Sequence, residues 1–556
     1  MKTKKLKSTV CVLIICSLVL DLFSGCGTKK KETETQTENA LVTTYFVTDE
    51  LNVVEDNYRT CYEIFVYSFY DSDGNGIGDL NGVTKKLDYI NDGDDSTTTD
   101  LGCNEIWLMP IMHSNTYHKY DVIDYYSVDG QYGSMEDFEA LIAECHARGI
   151  NVILDFVMNH SSSANPWFQD ACDYLEGLSE GEEPDPAECP YVEYYNFNKE
   201  GGTGYYQVGD SQWYYEAQFW SEMPDFNLEN ETVREEFTNI AQFWIDKGVD
   251  GFRLDAVTSY VTGNSDSNVE ILSWFNETVK SMDPDCYVVG EAWTYYSEYA
   301  SYYESGIDSF FNFDFAGADG VIAKVLTGSA KNGASSYGSM VQTVYEEIAK
   351  YSDTAIDAPF FVNHDMARAA GYFPGDDGSK LKMAQAMNLL MSGNAFLYYG
   401  EEIGMKGSGK DENKRLAMYW SSESGAEGIC LGPEDADATE MKYGSVLEQS
   451  EDESSILSFV KNLIKIRNQY PEIARGTEEF VSDLSDDKVC VIKKNYGEEI
   501  CYIVYNVSEE AVTFDKSALD TQNVVAALSA GGDTFDTNEF SETSVTMPAY
   551  SVMILK

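Results

Sequence analysis

Positive charge is scarce in this chain. Against 95 Asp and Glu stand 37 Lys and Arg, a net charge of −58 over 556 residues. Such a field repels phosphate backbones, which excludes nucleic acid as a partner. It leaves carboxylates available to calcium and favours a neutral substrate over an anionic one. No Cys-x-x-Cys pair or Cys/His zinc spacing occurs, no segment repeats, and beyond the N-terminal leader no apolar run spans a membrane. Histidine is rare too, with 5 in all, so those that fall in motifs stand out.

The 12 cysteines do not form a disulfide framework. Two lie in the leader and Cys26 ends it, which leaves nine, an odd number. Cys61, Cys103 and Cys286 adjoin apolar strand-like runs and read as small buried hydrophobes. Cys172 with Cys189, and Cys490 with Cys501, are spaced for local bridges, which spacing alone does not establish.

What is present begins with a targeting segment. Lys2, Lys4, Lys5 and Lys7 precede an apolar stretch from Val10 to Leu20, so residues 1–25 read as a signal peptide. Its end, with Ser24 and Gly25 before Cys26, resembles a bacterial lipobox, although Phe23 stands where Leu is usual. Lipidation at Cys26 is the expectation, giving a cell-surface lipoprotein on the outside of a bacterium. An ordinary secretory peptide is the other reading and would release the chain. Residues 26–57 are polar and read as a tether.

The body then alternates short apolar runs with helical patterns. Strands are expected over 62–70, 105–109, 152–157, 251–254, 287–290, 309–313, 360–362 and 395–399, and helices such as 134–148 and 232–247 between them. That is the pattern of a (β/α)8 TIM barrel, assigned to 58–160 and 223–470. Residues 161–222, rich in Gly, Pro, Glu and Tyr, exceed an ordinary βα loop and form an insertion after the third strand. Residues 471–556 read as a C-terminal antiparallel β-sandwich domain.

Three of the strands end in acids: Asp255, Glu291 and Asp365. A charge at the end of an apolar strand packs poorly, and three in succession suggest carboxylates gathered at one mouth of a barrel. A retaining glycosidase needs two carboxyl groups about 5–5.5 Å apart, one nucleophilic and one exchanging a proton. Arg253 precedes Asp255 by two positions and so shares its strand face, where a guanidinium keeps a nucleophile ionised. Glu291, two residues before Trp293, suits proton transfer, and Asp365 beside His364 suits stabilisation of an oxocarbenium-like transition state.

These residues lie in motifs that resemble the α-amylase family of glycoside hydrolases over nearly the whole mature length. The run from Asp155 to His160 is similar to that family's strand-three motif, 251–257 to strand four, and Glu291 and 363–365 to strands five and seven. Residues 101–110 and 394–401 resemble the motifs of strands two and eight. The resemblance implies Asp255 as nucleophile, Glu291 as acid/base and Asp365 as the stabiliser. It implies His160 and His364 as donors to sugar hydroxyls, Tyr120 as a stacking platform, Asp155 as support and Arg253 as the group orienting the nucleophile. His118 belongs to the same motif as Tyr120; a structural role for it stays open. A loop from Asp71 to Asp79 begins like an EF-hand but has Gly82 where the bidentate Glu would stand. By resemblance it binds a structural calcium through Asp71, Asp73, Asn75, Asp79 and the Ile77 carbonyl.

Departures refine the expectation. Thr258 and Ser259 replace a Lys-His pair that many members use for plus-subsite binding and a second calcium. The run from Met223 to Asn227 blends oligo-1,6-glucosidase and neopullulanase forms and resembles the intermediate bacterial lipoprotein α-amylases. The segment from Tyr117 to Asp121 lacks the extra Asp of exo-acting α-glucosidases. The implied activity is a secreted, monomeric, retaining, endo-acting hydrolase of α-1,4 bonds in starch and maltodextrins. Neopullulanase, cyclomaltodextrinase or 4-α-glucanotransferase activity is the alternative within enzymes. A non-catalytic glucan-binding lipoprotein is the other class, which the intact acidic trio argues against.

Overall fold

The computed structural model describes residues 40–47, 54, 56–94 and 99–556. The signal peptide, Cys26 and the first part of the tether lie outside the described residues. The chain divides into a unit ending at Ala40 and a compact unit, Leu41–Lys556, to which everything below refers. Among the described residues no helix is long and apolar enough to cross a membrane.

Seven parallel strands form the central sheet, in the spatial order Ser309–Phe310, Tyr287–Gly290, Gly251–Leu254, Asn151–Phe156, Glu105–Leu108, Thr60–Ile64, Ala395–Tyr398. The eighth position of the (β/α)8 barrel is filled by an irregular segment instead of the strand expected over 360–362. Ile356 donates to Asp308 O and Asn312 to Ala358 O on one side, while Asn394 donates to Asp357 O and Phe396 to Pro359 O on the other. Pro359 has no N–H to give, so a regular ladder cannot run through it. The first strand also ends early: Val66–Phe69 is a helical turn, where the unbroken apolar run had suggested continued strand.

Side chains alternate along these strands. One set, including Cys61, Trp107, Ile153, Tyr287, Val289 and Phe396, fills the barrel's interior. The other set meets the surrounding helices. Met135–His146 is fixed at its start by a capping box between Ser134 and Asp137, and buries Phe138, Leu141 and Ile142. Glu231–Asp246, capped by Asn230, buries Val233, Phe237, Ile240 and Trp244, each contributing roughly 1.5–3 kcal/mol of apolar burial.

The insertion carries the helix Pro166–Gly177 and a small antiparallel sheet of Phe197–Asn198, Tyr214–Glu216 and Tyr205–Gln207. The C-terminal domain opens with Thr477–Phe480 and builds a six-stranded antiparallel sheet. Its inner face packs Val491, Val504 and Met553 against Phe514, Phe535 and Val545.

The tether is shorter than expected. Thr44–Phe46 pairs with Val524–Ser529 at the sheet's edge, and Leu41–Val42 pairs with Phe535–Asp536. Val42 and Tyr45 pack on the sandwich core, so these residues cover an otherwise open strand edge. All nine cysteines among the described residues are free. Cys490 lies opposite Tyr505 and Cys501 opposite Lys494, four positions apart along the ladder. At about 3.3 Å per residue that is roughly 13 Å, too far to bridge.

Candidate active site

Register sets the site. In the parallel pairing Leu254 stands opposite Gly290, so the next residues of the two strands, Asp255 and Glu291, emerge side by side at the barrel rim. Arg253 stands opposite Asp155 on the other neighbour. The guanidinium is fully buried, and its Nη1 lies 2.7 Å from Asp255 Oδ1 and 2.9 Å from Asp155 Oδ1. Its Nη2 lies 2.8 Å from Glu291 Oε1, an ion-pair contact outside hydrogen-bond geometry. One cation therefore spans both carboxylates expected to do the covalent chemistry. Trp107 covers its face at 5.0 Å.

The backbone ties the same two acids together. Ala256, with φ of +50°, takes the left-handed conformation that favours glycine. In that turn its amide donates to Glu291 Oε2 at 3.1 Å. Burial pushes the Glu291 carboxyl up to about 8, against the pull of Arg253 and with the negative field of Asp255. Trp293, two residues beyond Glu291, is 52% exposed and stacks on Phe313.

Asp365 projects from the loop that follows the irregular segment, the seventh of the eight in chain order. Its Oδ2 lies 2.9 Å from His364 Nε2 and its Oδ1 accepts from Arg415 Nη2 at 2.7 Å. Burial alone would raise this carboxyl, but His364 and Arg415 hold it well below the usual range. Burial would depress His364; Asp365 and Glu63, which contacts its Nδ1 at 2.5 Å, push it up to about 10 instead. Tyr120 donates to Asp155 at 2.8 Å, and its ring stacks on His364. His160 is buried, depressed by desolvation, and its Nε2 has no protein partner. His118, Tyr120, His160, Asp255, Glu291 and Asp365 all line one cavity of about 350 Å³, with Phe219, Trp293, Asp411 and Arg415.

The structure thus brings together the three carboxylates with His118, Tyr120 and His160, and places Arg253 and Asp155 beside them; His364, expected to face the sugar, is instead fully buried, its ring nitrogens taken by Glu63, Asp365 and Tyr120. Four contributors were missed. Arg415 and Asp411 come from the loop after the Ala395–Tyr398 strand, where only their i, i+4 spacing gave a signal. Phe219 comes from the insertion. Glu63 could have been found, because an acid inside the wholly buried Thr60–Ile64 strand is the same packing anomaly that marks the other three.

The loop that follows the first strand and its helical turn groups part of its expected ligand set. Asp71, Asp73 and Asp79 each bring a carboxylate oxygen within 4.8 Å of the others. Among the described residues none of them pairs with Lys or Arg. Backbone amides of Gly74 and Gly76 hold Asp71 at 2.7 Å each. Asn75 touches Asp73 through its amide nitrogen, while its oxygen accepts from Ile77 N at 2.7 Å. Three hard oxygen donors without a protein cation suit calcium.

A parallel barrel with an acidic trio at its C-terminal rim, one acid raised by burial and another held by a guanidinium, defines an enzyme acting on glycosidic bonds. The family described as "Alpha amylase, catalytic domain" matches residues 63–476, and the chain belongs to it. The solved structure of Eubacterium rectale Amy13B is 54% identical, covers 91% of this chain and 96% of its own, and superposes with a TM-score of 0.88. An α-amylase structure from H. orenii is 34% identical over 90% of this chain and 99% of its own, with a TM-score of 0.77. Alpha-amylase 3 of Dictyoglomus thermophilum is 35% identical over 468 residues, 82% of this chain and 85% of the relative.

Proposed function

We propose that this glycoside hydrolase is a retaining, endo-acting α-amylase that cleaves α-1,4 bonds in starch and maltodextrins. The observation that carries the proposal is the sharing of Arg253 between Asp255 at 2.7 Å and Glu291 at 2.8 Å, with Glu291 raised by burial. An Asp255 oxygen attacks the anomeric carbon while the carbon–oxygen bond to the leaving sugar breaks. Glu291 passes its proton to that leaving oxygen. In the second half, the Glu291 carboxylate takes a proton from water, whose oxygen displaces Asp255 and restores the original configuration. Asp365 steadies positive charge at the sugar ring, His160 donates to its hydroxyls, and Tyr120 forms its floor, while His364, with both ring nitrogens taken up by Glu63, Asp365 and Tyr120, holds Asp365 and Tyr120 in place. Asp71, Asp73 and Asp79 would hold a calcium that supplies structural support, with Asn75 and the Ile77 carbonyl as further oxygen donors.

The endo preference rests on the missing acid ahead of Tyr120, and export with anchoring at Cys26 on the leader sequence. A second reading, transfer to a sugar acceptor, is favoured by Phe219 and Trp293, which line the cavity at 54% and 52% exposure. An acceptor stacked there competes with water for the covalent intermediate. Release of reducing sugar from soluble starch tests the main proposal. Asp255→Asn and Glu291→Gln should each lower kcat by roughly 10³-fold or more. Wild-type rates in either would sink the mechanism. Longer oligosaccharides accumulating from maltotriose would favour transfer instead.

A further inference from the structure

We propose that Lys119 is a positioning residue whose buried ammonium holds a left-handed turn, and that this turn fixes His118 with its proton on Nε2. Lys119 has a φ of +66°, and with Ala256 and Tyr550 is one of three non-glycine residues in that region among those described. The conformation is strained for an L-residue, and a glycine would take it freely. What glycine would lack is the anchor. Lys119 is 1% exposed, with Nζ 3.2 Å from Asp129 Oδ2, 2.7 Å from Gln131 Oε1 and 3.3 Å from the Ser114 carbonyl. Asp129 is itself buried and accepts from the Ser114 and Gln131 amides. A buried cation tied to so many fixed groups pins the backbone from which it grows.

The turn has a chemical consequence one residue away on either side. The Tyr120 amide lies 3.2 Å from His118 Nδ1. A backbone N–H only donates, so Nδ1 carries the lone pair and the proton of the neutral ring sits on Nε2. Thr116 Oγ1 lies 3.2 Å from the same nitrogen and, with its own proton given to Asp121, brings only a lone pair there, so the Tyr120 amide is the one donor to Nδ1 and sets the tautomer against that contact. Burial, with the positive charge of Arg415, depresses His118 to about 4 and keeps the ring neutral. The cavity is therefore offered a donor at this position. The same turn delivers Tyr120 to Asp155 and His364. That the donor serves a sugar hydroxyl rests on the proposed function; the tautomer does not.

With only 5 histidines in the chain, selective ¹⁵N labelling of the full-length protein reads the tautomer directly. His118 is assigned by its loss in His118→Gln. Wild type should show a neutral His118 with a bare Nδ1. A paired variant, Lys119→Met with Asp129→Asn, removes both buried charges together so that neither is stranded. It should mix the tautomers and lower kcat/KM on soluble starch by about 10- to 100-fold while the fold is retained. Lys119→Gly with Asp129→Asn, which keeps the turn accessible without the anchor, should do the same. A proton on Nδ1 in wild type would overturn the proposal, as would wild-type tautomer and kinetics in both variants. A shifted tautomer with unchanged kcat/KM would overturn the sugar-donor role while leaving the positioning intact.

Discussion

Arg415 donates to Asp365 across 2.7 Å, although 50 residues separate them. The arginine is nearly buried and also contacts Asp411 and, at 3.1 Å, the Tyr117 hydroxyl. It fixes the acid whose place at the rim owes least to a regular strand. Arg415→Ala should lower kcat/KM on starch about 100-fold, or about 2.7 kcal/mol of transition-state stabilisation. Arg415→Lys should not restore it, because an ammonium cannot span Asp365 and Asp411 in one plane. Steady-state kinetics alongside circular dichroism decide this, and a rate within twofold of wild type would refute it.

Arg253→Lys keeps the charge but loses the two-pronged geometry that reaches Asp255 and Glu291 together. We expect kcat to fall by roughly 10²-fold with a much smaller change in KM, since the lost contacts align reacting groups. A change confined to KM would place Arg253 in substrate binding instead.

The basic limb of the pH profile follows from Glu291. Burial raises its carboxyl to about 8, and the acid must hold its proton to protonate the leaving oxygen. Activity is therefore present below that value and lost as pH rises through it, with kcat/KM falling about tenfold per unit beyond. Asp365, held low by His364 and Arg415, stays ionised throughout this window. A profile that stays flat to pH 10 would show that Glu291 is not the acid.

Calcium should matter for stability and not for chemistry. If Asp71, Asp73 and Asp79 bind the ion, a chelator removes about 2–3 kcal/mol at a hundredfold excess over Kd, enough to lower Tm by roughly 2–3 °C. Added calcium should reverse the shift, and Asp71→Asn with Asp73→Asn should abolish the response. Unchanged melting under chelation would speak against the site.

Much of this was legible beforehand for a simple reason: charge at the end of an apolar strand is a local signal. Asp255, Glu291 and Asp365 show it, and so do the glycines and acids of the 71–79 loop. Glu63 carries a related signal, an acid inside a wholly buried strand instead of at its end, and a search for strand-end acids alone passes over it. Strand limits around Pro359 and Val66 were misread because apolar runs carry no period that separates buried strand from buried helix.

The sequence by itself determined the barrel, the acidic trio and the guanidinium two residues before the nucleophile, because each is written in patterns local to short segments of chain. Tertiary structure alone decided the rest. Arg415 meets Asp365, Lys119 meets Asp129, and Thr44–Phe46 closes the sandwich edge only once distant segments are folded together. Charge pairing and hydrogen-bond direction act over about 3 Å, and no order of residues along a chain specifies which groups will come that close.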